Sequence, residues 1–347
     1  MPTNPLSSTY SRQTLDKENA SFRVEQKSHP EDKRLPSRGI YRILICRPNH
    51  RLGNLLLLTP LLQAIEAAYP GAEVDLLVGS PCGHAIFSRY PQVRHIHALG
   101  ARIVRHPLRL VRILLHLRAR RYDLVIDAAK GSGSGRIFSR IIRGRYSVSP
   151  SDLPESTLTE HFAHRPVAAL AAALGSSSLK RPYANLDLRL APAEIDAGRS
   201  ALERVCAQTP GQAAPVIGIF ANATGKKNLD KAWWKELIAH LKVMAPECQL
   251  VEFLPAHGMS MLDDEIPGLF STDLRNMAAA MCHVDIFISG DCGVMHLASA
   301  ARARTLGLFS VTSMEIYGPF GNGSQSLDIR KNDPKSVASI AIKQCDL

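Results

Sequence analysis

Short apolar runs alternate with longer amphipathic stretches along most of this chain. The run YRILIC, at residues 41–46, is followed by a helical pattern over 54–69, and AEVDLLVG repeats the strand pattern at 72–79. Strands that alternate with helices in this way form a parallel sheet with helices on both faces. The alternation therefore predicts an α/β fold.

The alternation breaks over residues 150–215 and starts again at PVIGIFA. Because a chain of 347 residues is longer than single cores usually grow, the break predicts two Rossmann-like domains that face a central cleft, where such sheets bind ligands. We predict four segments: a disordered extension at 1–38, an N-terminal domain at 39–188, a C-terminal domain at 189–333, and a helix at 334–347, for which packing back toward the N-terminal domain is one option.

Positive charge is concentrated in the segment 89–145. The segment holds 13 arginines and 1 lysine against only Asp123 and Asp127, a formal charge of +12, whereas the whole chain carries +11. One interpretation is an ordinary solvated helix surface. The other is a basic face for phospholipid headgroups, a phosphorylated glycolipid or nucleic acid. Nucleic acid is disfavoured, because few aromatic residues and no recognisable binding motif accompany the arginines.

The cysteines give no sign of a disulfide framework or of a metal site. There are seven, an odd number, and no two of them form a C-x-x-C pair. This usage is typical of a reducing cytoplasm. The N-terminus is polar, without a signal-peptide pattern, and the longest apolar run is too short to span a bilayer. We therefore expect a cytoplasmic protein that meets any membrane only at its surface.

The stretch RPNHRLGNLLLLTP, which follows the first strand, is a candidate ligand site. Arg47 ends the strand, and Gly53 precedes the first helical residues. Glycine turns between a strand and a helix hold ligands in many α/β proteins. The next residue, Asn54, can form hydrogen bonds but cannot accept a proton at neutral pH.

A second candidate site lies in VDIFISGDCGVMHLASA, where a buried strand runs into a turn and a helix. Gly290 and Gly293 allow a ligand close to the backbone, and the free N–H groups at a helix start bind phosphate. His296, in the first helical turn, adds a possible donor. The alternative is that Asp291 only caps the helix and His296 lies on the surface.

These two motifs together resemble glycosyltransferase family nine, the bacterial heptosyltransferases. GDCGVMHLASA with LGLFSVTSMEIYGPFG resembles the family's C-terminal signature, and RPNHRLGNLLLLTPLLQAIEAAYPGAEVDLLVG is similar to its N-terminal one. The resemblance covers residues 40–345. It implies a GT-B fold and an inverting, metal-independent transfer from an ADP-sugar without a cofactor.

The resemblance also implies a partner for the basic segment. The acceptor in this family is the inner-core region of lipopolysaccharide, an anionic glycolipid of the inner membrane. The segment 89–145 would then face that acceptor and the membrane surface, which makes the protein peripheral on the inner membrane. The resemblance gives no indication of the oligomeric state.

The nucleotide-sugar site is carried over residue by residue. The family's Asp-Thr/Ser-Gly corresponds to Asp291, Cys292 and Gly293, with the helix histidine at His296. Cys292 replaces a hydroxyl residue and is a weaker hydrogen-bond donor. In the loop FANATGKKNLDKAWWKEL the family's lysine matches Lys227, which would offset charge on the departing ADP. The family's paired threonines fall on Asn222 and Ala223, and Thr224 is a possible substitute for them.

The acceptor side departs from the family at the base. The family's general base is the Asp of a Gly-Asp pair, and Asn54 stands at that position here. His50, in a loop one residue longer than the family's, is a possible substitute base, because imidazole titrates near neutral pH. Asp263, Asp264 and His257 are more distant candidates.

The remaining acceptor-side residues are Arg47, Arg51, Gly53, Lys130 and His161. Lys130 opens a glycine-rich stretch, KGSGSG, that is interpreted either as an anion-binding helix start or as a flexible connector. Two further functions stay open. One is a catalytically impaired homologue that binds nucleotide-sugar or glycolipid without turnover, and the other is an enzyme of the same fold with different chemistry, such as an epimerase.

Overall fold

The computed structural model describes residues 34–100, 102–128, 133–155, 160–175, 182–206 and 214–345. Residues 35–347 form one compact unit. Its strands are β1 (Arg42–Arg47), β2 (Glu73–Val78), β3 (Val93–Ala98), β4 (Leu124–Asp127), β5 (Tyr146–Val148), β6 (Val216–Phe220), β7 (Gln249–Phe253), β8 (Gly268–Leu269), β9 (Ile286–Gly290), β10 (Thr305–Phe309) and β11 (Gln325–Asp328).

The α-helices of the described residues lie between these strands, except the last one, which follows β11. They are α1 (Leu52–Leu56), α2 (Thr59–Ala68), α3 (Gly83–Phe87), α4 (Pro107–Ala119), α5 (Gly133–Ile142), α6 (His164–Leu174), α7 (Pro192–Cys206), α8 (Lys231–Met244), α9 (Leu274–Met281), α10 (Gly293–Ala300), α11 (Met314–Tyr317) and α12 (Pro334–Gln344). Among the described residues, no helix has the length and apolar character needed to cross a membrane.

The strands form two parallel sheets, one from each half of the chain. The first has the order β3-β2-β1-β4-β5, and the second has the order β11-β10-β9-β6-β7-β8. The central strands β1, β6 and β9 are mostly apolar and, apart from the exposed Arg42 at the start of β1, buried, as expected for strands covered by helices on both faces. The predicted α/β architecture with two sheets is confirmed.

The register of the strands places the candidate turns at the carboxyl edges of the sheets. In the first sheet, Cys46 of β1 lies beside Asp127 of β4, so Arg47 leaves the sheet at that edge. In the second, Phe220 of β6 lies beside Ser289 of β9. The loops after β6 and β9 therefore start side by side.

Helix α7 follows the linker between the sheets and crosses α9 at very close range. A Cβ on Gly198 would lie 2.2 Å from the backbone carbon of Ala279. Arg275 of α9 pairs with Glu194 of α7, with Nε to Oε1 at 2.6 Å, and donates to the carbonyls of Ala85 (2.9 Å) and Leu188 (3.1 Å). One buried arginine thus joins the first domain, the linker and the second domain.

One boundary differs from the sequence prediction. The disordered extension was expected to reach residue 38, but Leu35 is buried and its N–H donates to the carbonyl of Ala173 at 2.8 Å. A single leucine packs against the end of α6, and no periodic sequence pattern indicates such a contact. Residues 1–33 lie outside the described part of the chain.

The C-terminal helix α12 does not take the option of packing toward the N-terminal domain. It lies against α8, and its residues Val337, Ala338 and Ala341 are buried in the apolar cluster around β6, β9 and β10. These small and branched side chains pack into that cluster, so the helix completes the second domain.

We predict that Gly198→Ala destabilises the protein by about 1–3 kcal/mol, because the added methyl group meets the backbone of α9. At a free helical position the same change would stabilise by about 1 kcal/mol, so the sign of the effect is informative. Urea unfolding measures it. Ser200→Ala, at an exposed position of the same helix, is the control and should change little. A stabilised Gly198→Ala variant would contradict the close crossing.

Candidate functional site

Arg47, at the end of β1, is a buried cation that organises the first turn. Its Nη1 donates to the carbonyl of Ala128 at 2.5 Å, and its guanidinium carbon lies 4.7 Å from the ring centroid of Phe162. Burial lowers its pKa to about 10, opposed by the nearby charge of Asp127. Arg47 therefore remains positive at neutral pH and fixes the exit of β1 against the end of β4.

The loop between Arg47 and α1 folds back on itself. The Asn49 side chain accepts a hydrogen bond from the N–H of Arg51 at 2.9 Å, and a Cβ on Gly79 would lie 2.6 Å from the Asn49 carbonyl oxygen. His50 and Arg51 point outward and are exposed, whereas Asn54 is half-buried. Within the described residues, the Asn54 side chain has no hydrogen-bond partner, so its amide is available to a ligand.

The second turn is built around Asp291. Its carboxylate lies 2.6 Å from the ammonium of Lys227 and accepts a hydrogen bond from the Thr312 hydroxyl. Asp291 does not cap α10, because the residue at the N-cap is Cys292, which makes no capping hydrogen bond through its side chain. The interpretation of Asp291 as a simple cap is therefore wrong.

Helix α10 thus starts without a carboxylate on its free N–H groups. The Cys292 thiol lies 3.5 Å from the Ser289 hydroxyl, and burial raises its pKa, which keeps it neutral. A neutral residue at the N-cap leaves the positive end of the helix dipole available to an anion.

The loop after β6 lies beside this turn. A Cβ on Gly290 would lie 3.6 Å from the Cβ of Ala223, and the Asn228 side chain accepts from the Ala223 N–H at 3.1 Å. The Nδ2 atom of Asn222 is buried and has no hydrogen-bond partner in the described residues. Thr224 is exposed. Buried amide donors are nearly always paired, so Asn222 has the character of a ligand donor.

The two turns meet through glycine. A Cβ on Gly53 would lie 2.6 Å from Cδ2 of His296 and 3.4 Å from the Cα of Gly293, and a Cβ on Gly293 would lie 3.0 Å from the Cβ of Leu52. Helices α1 and α10 therefore pack directly on each other. The predicted acceptor-side and donor-side turns lie at one place, because both contact positions lack a side chain.

His296 lies at the centre of this contact and is only 5% exposed. The alternative of a surface histidine is therefore wrong. Burial is the main cause that lowers its pKa to about 3, and the charges of His161 and Lys227 act in the same direction. Its Nδ1 atom has no hydrogen-bond partner within the part of the chain that the structure describes. His296 is a neutral imidazole with one unused polar atom.

His161 joins the two domains beside His296. Its Nε2 donates to the Gly318 carbonyl at 2.9 Å, since its Nδ1 accepts from the Ala163 N–H at 3.3 Å. The ring stacks on Phe320 with centroids 5.0 Å apart. Burial lowers its pKa to about 4. The structure therefore gives His161 a contact with the second domain.

Neighbouring aromatic residues extend this contact. Phe162 donates its N–H to the carbonyl of Ile316 at 2.9 Å and stacks on Tyr317 with centroids 5.7 Å apart. The family resemblance rests partly on the stretch LGLFSVTSMEIYGPFG, but it assigns no role to the residues of that stretch. Thr312, Tyr317 and Phe320 in that stretch are the site neighbours that sequence reasoning missed, and their position directly after the β10 strand was the available signal.

The other predicted candidates are not brought into this contact. Asp263 is ion-paired with Lys231 and Lys235, and these charges lower its pKa further, which makes it a poorer proton acceptor. Asp264 and His257 are exposed in the same loop. Lys130 lies outside the described residues. In the described ranges no group of three or more His, Cys, Asp or Glu side chains is arranged to hold a metal ion.

Together these features suit a phosphate-bearing ligand. The start of α10 supplies N–H groups, and Lys227 supplies a positive charge that Asp291 positions. Asn222 and His296 supply buried polar atoms without protein partners. A diphosphate at this place would satisfy them, because its oxygens accept hydrogen bonds from both backbone and side chains.

Comparison with known proteins agrees with this geometry. The family model for glycosyltransferase family 9 (heptosyltransferase) matches residues 110–339. A search of curated protein sequences found no significant match.

Solved structures of similar fold cover nearly the whole chain. A glycosyl transferase family 9 protein from Veillonella parvula superposes with a TM-score of 0.72 at 16% identity, over 90% of this chain and 98% of that one. For the ADP-heptose LPS heptosyltransferase II of E. coli the TM-score is 0.65 at 16% identity, over 88% and 98%. For the E. coli heptosyltransferase WaaC with ADP it is 0.64 at 19%, over 87% and 98%. The predicted GT-B fold is confirmed.

We predict that acid pH lowers the free energy of unfolding, because His161 and His296 bind protons more readily in the unfolded chain. Their pKa values in the folded state, about 4 and about 3, lie below the ordinary value near 6.5. The unfolded chain therefore binds protons that the folded chain does not, and the free energy of unfolding falls as the pH drops from about 6.5 toward about 4. The slope is at most about 1.4 kcal/mol per pH unit for each histidine.

Urea unfolding at a series of pH values measures this slope. His161→Gln should make it shallower, whatever its effect on stability at neutral pH, and His257→Gln, at an exposed position, should leave it unchanged. The same slope in all three proteins would contradict the assignment.

Proposed function

Because the chain belongs to glycosyltransferase family 9, the heptosyltransferase family, we propose that it transfers a heptose or a related sugar from an ADP-sugar to a lipopolysaccharide core or a similar anionic glycan. Transfer proceeds with inversion at the anomeric carbon and without a metal ion. The observation that carries the proposal is the direct contact of the two signature turns, at Gly53 and Gly293. It supports a single site in which the acceptor meets the donor.

The donor's diphosphate binds at the start of α10. The backbone N–H groups of Cys292 and Gly293 hold its oxygens, and His296 and Asn222 supply the buried polar atoms described above. Lys227 reaches the same place through its 2.6 Å ion pair with Asp291. Thr224 lies exposed at the mouth of the loop. The E. coli heptosyltransferase WaaC has been solved with ADP and with ADP-2-deoxy-2-fluoro heptose, which supports an ADP-sugar as donor.

The chemical step is a displacement at the anomeric carbon. An acceptor hydroxyl forms the new C–O bond while the bond to ADP breaks, and the hydroxyl proton passes to a base. Negative charge grows on the ADP as it leaves, and the ammonium of Lys227 and the dipole of α10 stabilise it. Asn54 binds the acceptor hydroxyl through its amide but does not take the proton.

The base on the acceptor side is His50. It stands four residues before Asn54 in the same turn, and its exposed side chain can reach an acceptor that lies over the turn. Arg47 and Arg51 give this side of the site positive charge, which suits an anionic glycan. We place the acceptor at the cytoplasmic face of the inner membrane, with the basic segment 89–145 toward the bilayer.

The second candidate function is binding of nucleotide-sugar or glycolipid without turnover. The observation that favours it is Asn54, an amide at the position where the family has its base. In that case the donor site would bind ADP normally, and no base would act on the acceptor.

We predict that ADP raises the thermal midpoint more than UDP or GDP does, and that Lys227→Met weakens ADP binding about tenfold or more. The variant removes a positive charge and also leaves the buried Asp291 carboxylate unpaired next to the phosphates. Calorimetric titration with ADP measures the loss. Lys226→Met is a matched control, because Lys226 is the adjacent lysine and is exposed. Equal losses in both variants, or equal midpoint shifts with all three nucleotides, would contradict the assigned site.

We predict that His50→Ala lowers kcat by about 10²–10⁴ in transfer from an ADP-sugar to a truncated core acceptor, the range expected for loss of a general base. The double variant His50→Ala with Asn54→Asp should recover much of the rate, because a carboxylate returns to the family's base position. His257→Ala serves as the control for loss of an exposed histidine.

The outcomes separate the two candidate functions. An unchanged kcat in His50→Ala would exclude His50 as the base. No turnover in the natural sequence, with turnover in Asn54→Asp alone, would assign the protein to binding without catalysis. In either case ADP binding remains a separate measure of the donor site.

A further inference from the structure

We propose that the outer face of α4 and α5 docks on an anionic bilayer by inserting apolar side chains between arginines. The proposal gives the membrane-bound acceptor of the proposed function a defined docking surface, and in that sense rests on it. Vesicle binding nevertheless tests it without any sugar transfer. We call this face the α4–α5 face and define it by Leu108, Val111, Leu115, Ile137 and Ile141.

The apolar side chains of this face are unusually exposed. Leu108 is 81% exposed, Leu115 is 62% exposed and Ile137 is 55% exposed, while Val111 and Ile141 are also exposed. The first three positions on α4 follow each other at i, i+3 and i+7, and the two on α5 at i and i+4, so each set forms one stripe along its helix. Single exposed apolar residues are ordinary, but a stripe on two adjacent helices marks an interaction surface.

Each of these helices has a second apolar side, which is already used. Leu117 of α4 and Phe138 and Ile142 of α5 are buried in one cluster with strand residues of the first sheet. Since the core takes the inner side, the exposed stripe is not needed for the packing of the domain. The exposed stripe is therefore free to contact a partner outside the described chain.

The two helices present the stripe as one rigid surface. They pack side by side, and Arg118 of α4 donates to the carbonyl of Ile141 of α5 at 3.0 Å. The end of α4 is anchored by Asp75, whose buried carboxylate lies 2.9 Å from Nε of Arg120 and accepts from the Tyr122 hydroxyl at 2.7 Å. The face is therefore preformed, and docking requires no refolding.

The charges around the stripe select the partner. Exposed arginines surround it, and neither helix contains an acidic residue; those nearest the stripe are Arg105, Arg109, Arg112, Arg118, Arg136 and Arg140. Guanidinium groups bind phosphate oxygens, and arginine near a negative membrane surface strengthens binding about fivefold for each residue. An amphipathic surface with apolar side chains between basic ones fits the boundary between headgroups and acyl chains.

The alternative partners fit less well. Nucleic acid would satisfy the arginines, but Leu108 and Leu115 would gain nothing from a phosphate backbone, and the face carries no aromatic residue for base stacking. An acidic protein surface would likewise leave an apolar stripe to be covered. Only a bilayer offers anionic groups and an apolar layer within the depth of one side chain.

The face also lies in a useful place relative to the site. Helix α5 follows the end of β4, and Asp127 at that end lies beside the end of β1, where Arg47 begins the acceptor-side turn. A bilayer against the α4–α5 face would therefore meet the domain that receives the acceptor. A glycolipid held in that bilayer could enter the cleft without leaving the membrane.

Flotation of the full chain with vesicles tests the proposal. Vesicles of phosphatidylcholine with about 30% phosphatidylglycerol should bind the protein at least about tenfold more tightly than vesicles of phosphatidylcholine alone. Leu108→Ser with Leu115→Ser should weaken binding to the anionic vesicles about tenfold or more, because two exposed apolar side chains are lost from the bilayer. Val243→Ser is the matched control, since Val243 is 80% exposed on α8 of the other domain.

Charge substitutions and salt distinguish the contribution of the arginines to vesicle binding from that of the leucines. Arg109→Glu with Arg112→Glu should abolish the preference for anionic vesicles, and binding of the natural sequence should weaken as NaCl rises from about 0.05 to about 0.5 M. An unchanged affinity in the leucine variant would overturn insertion, and equal binding to neutral and anionic vesicles would overturn the role of the arginines. Tighter binding to a short duplex DNA than to anionic vesicles would assign the face to nucleic acid instead.

Two further measurements keep the result independent of folding and of catalysis. The thermal midpoint and the ADP affinity of the leucine variant should equal those of the natural sequence, because both side chains are exposed and lie outside the donor site. Turnover with a soluble truncated acceptor should also be unchanged. If the leucine variant loses vesicle affinity but binds ADP normally, the docking surface is supported. If neither the natural sequence nor any variant binds ADP, only the proposed function is contradicted.

Discussion

The contact of Gly53 with Gly293 and His296 determines how the rest of the site is built. No side chain fits at either glycine, so α1 and α10 approach until their backbones nearly touch. This approach buries His296 and lowers its pKa to about 3. A neutral imidazole and an uncapped helix start lie at this contact, and the Asn222 amide in the loop after β6 is buried without a hydrogen-bond partner in the described residues. In such surroundings each polar atom interacts more strongly with a charged ligand than it would at the surface.

Several charged side chains around the two turns are compensated by ion pairs within the protein. Lys227 and Asp291 form a pair that holds the lysine in place, while the uncapped start of α10 leaves the positive end of its dipole uncompensated. On the opposite side of the first sheet, Asp75 neutralises Arg120 and anchors α4. In the described residues of segment 89–145, Arg89 and Arg94 are also ion-paired, and the remaining arginines are exposed, so the segment is positive toward its surroundings rather than toward the core.

The sequence was sufficient for the elements whose signal is periodic or local. Apolar alternation predicted both sheets, and Gly290 and Gly293 predicted a strand-to-helix turn at that place. Packing over long distances was not predictable. Leu35 packs on α6, and α12 packs on α8. In neither segment does the sequence pattern indicate which helix it contacts. The α4 pattern was similarly ambiguous, because an amphipathic helix shows which residues are apolar but not that Leu108 and Leu115 stay outside the core.

Asn54 has two consequences that act in opposite directions. Relative to the aspartate that the family resemblance implies at this position, the amide lacks a proton acceptor, and it also lacks a negative charge in the turn that abuts the start of α10. A carboxylate directly after Gly53 would repel a diphosphate held near Gly293 and His296, and it would raise the pKa of that histidine. Under the proposed transfer, the change therefore reduces repulsion of the donor while it weakens proton transfer. Under the proposed transfer, a chain with Asn54 keeps the contact at Gly53 and draws its base from outside that contact.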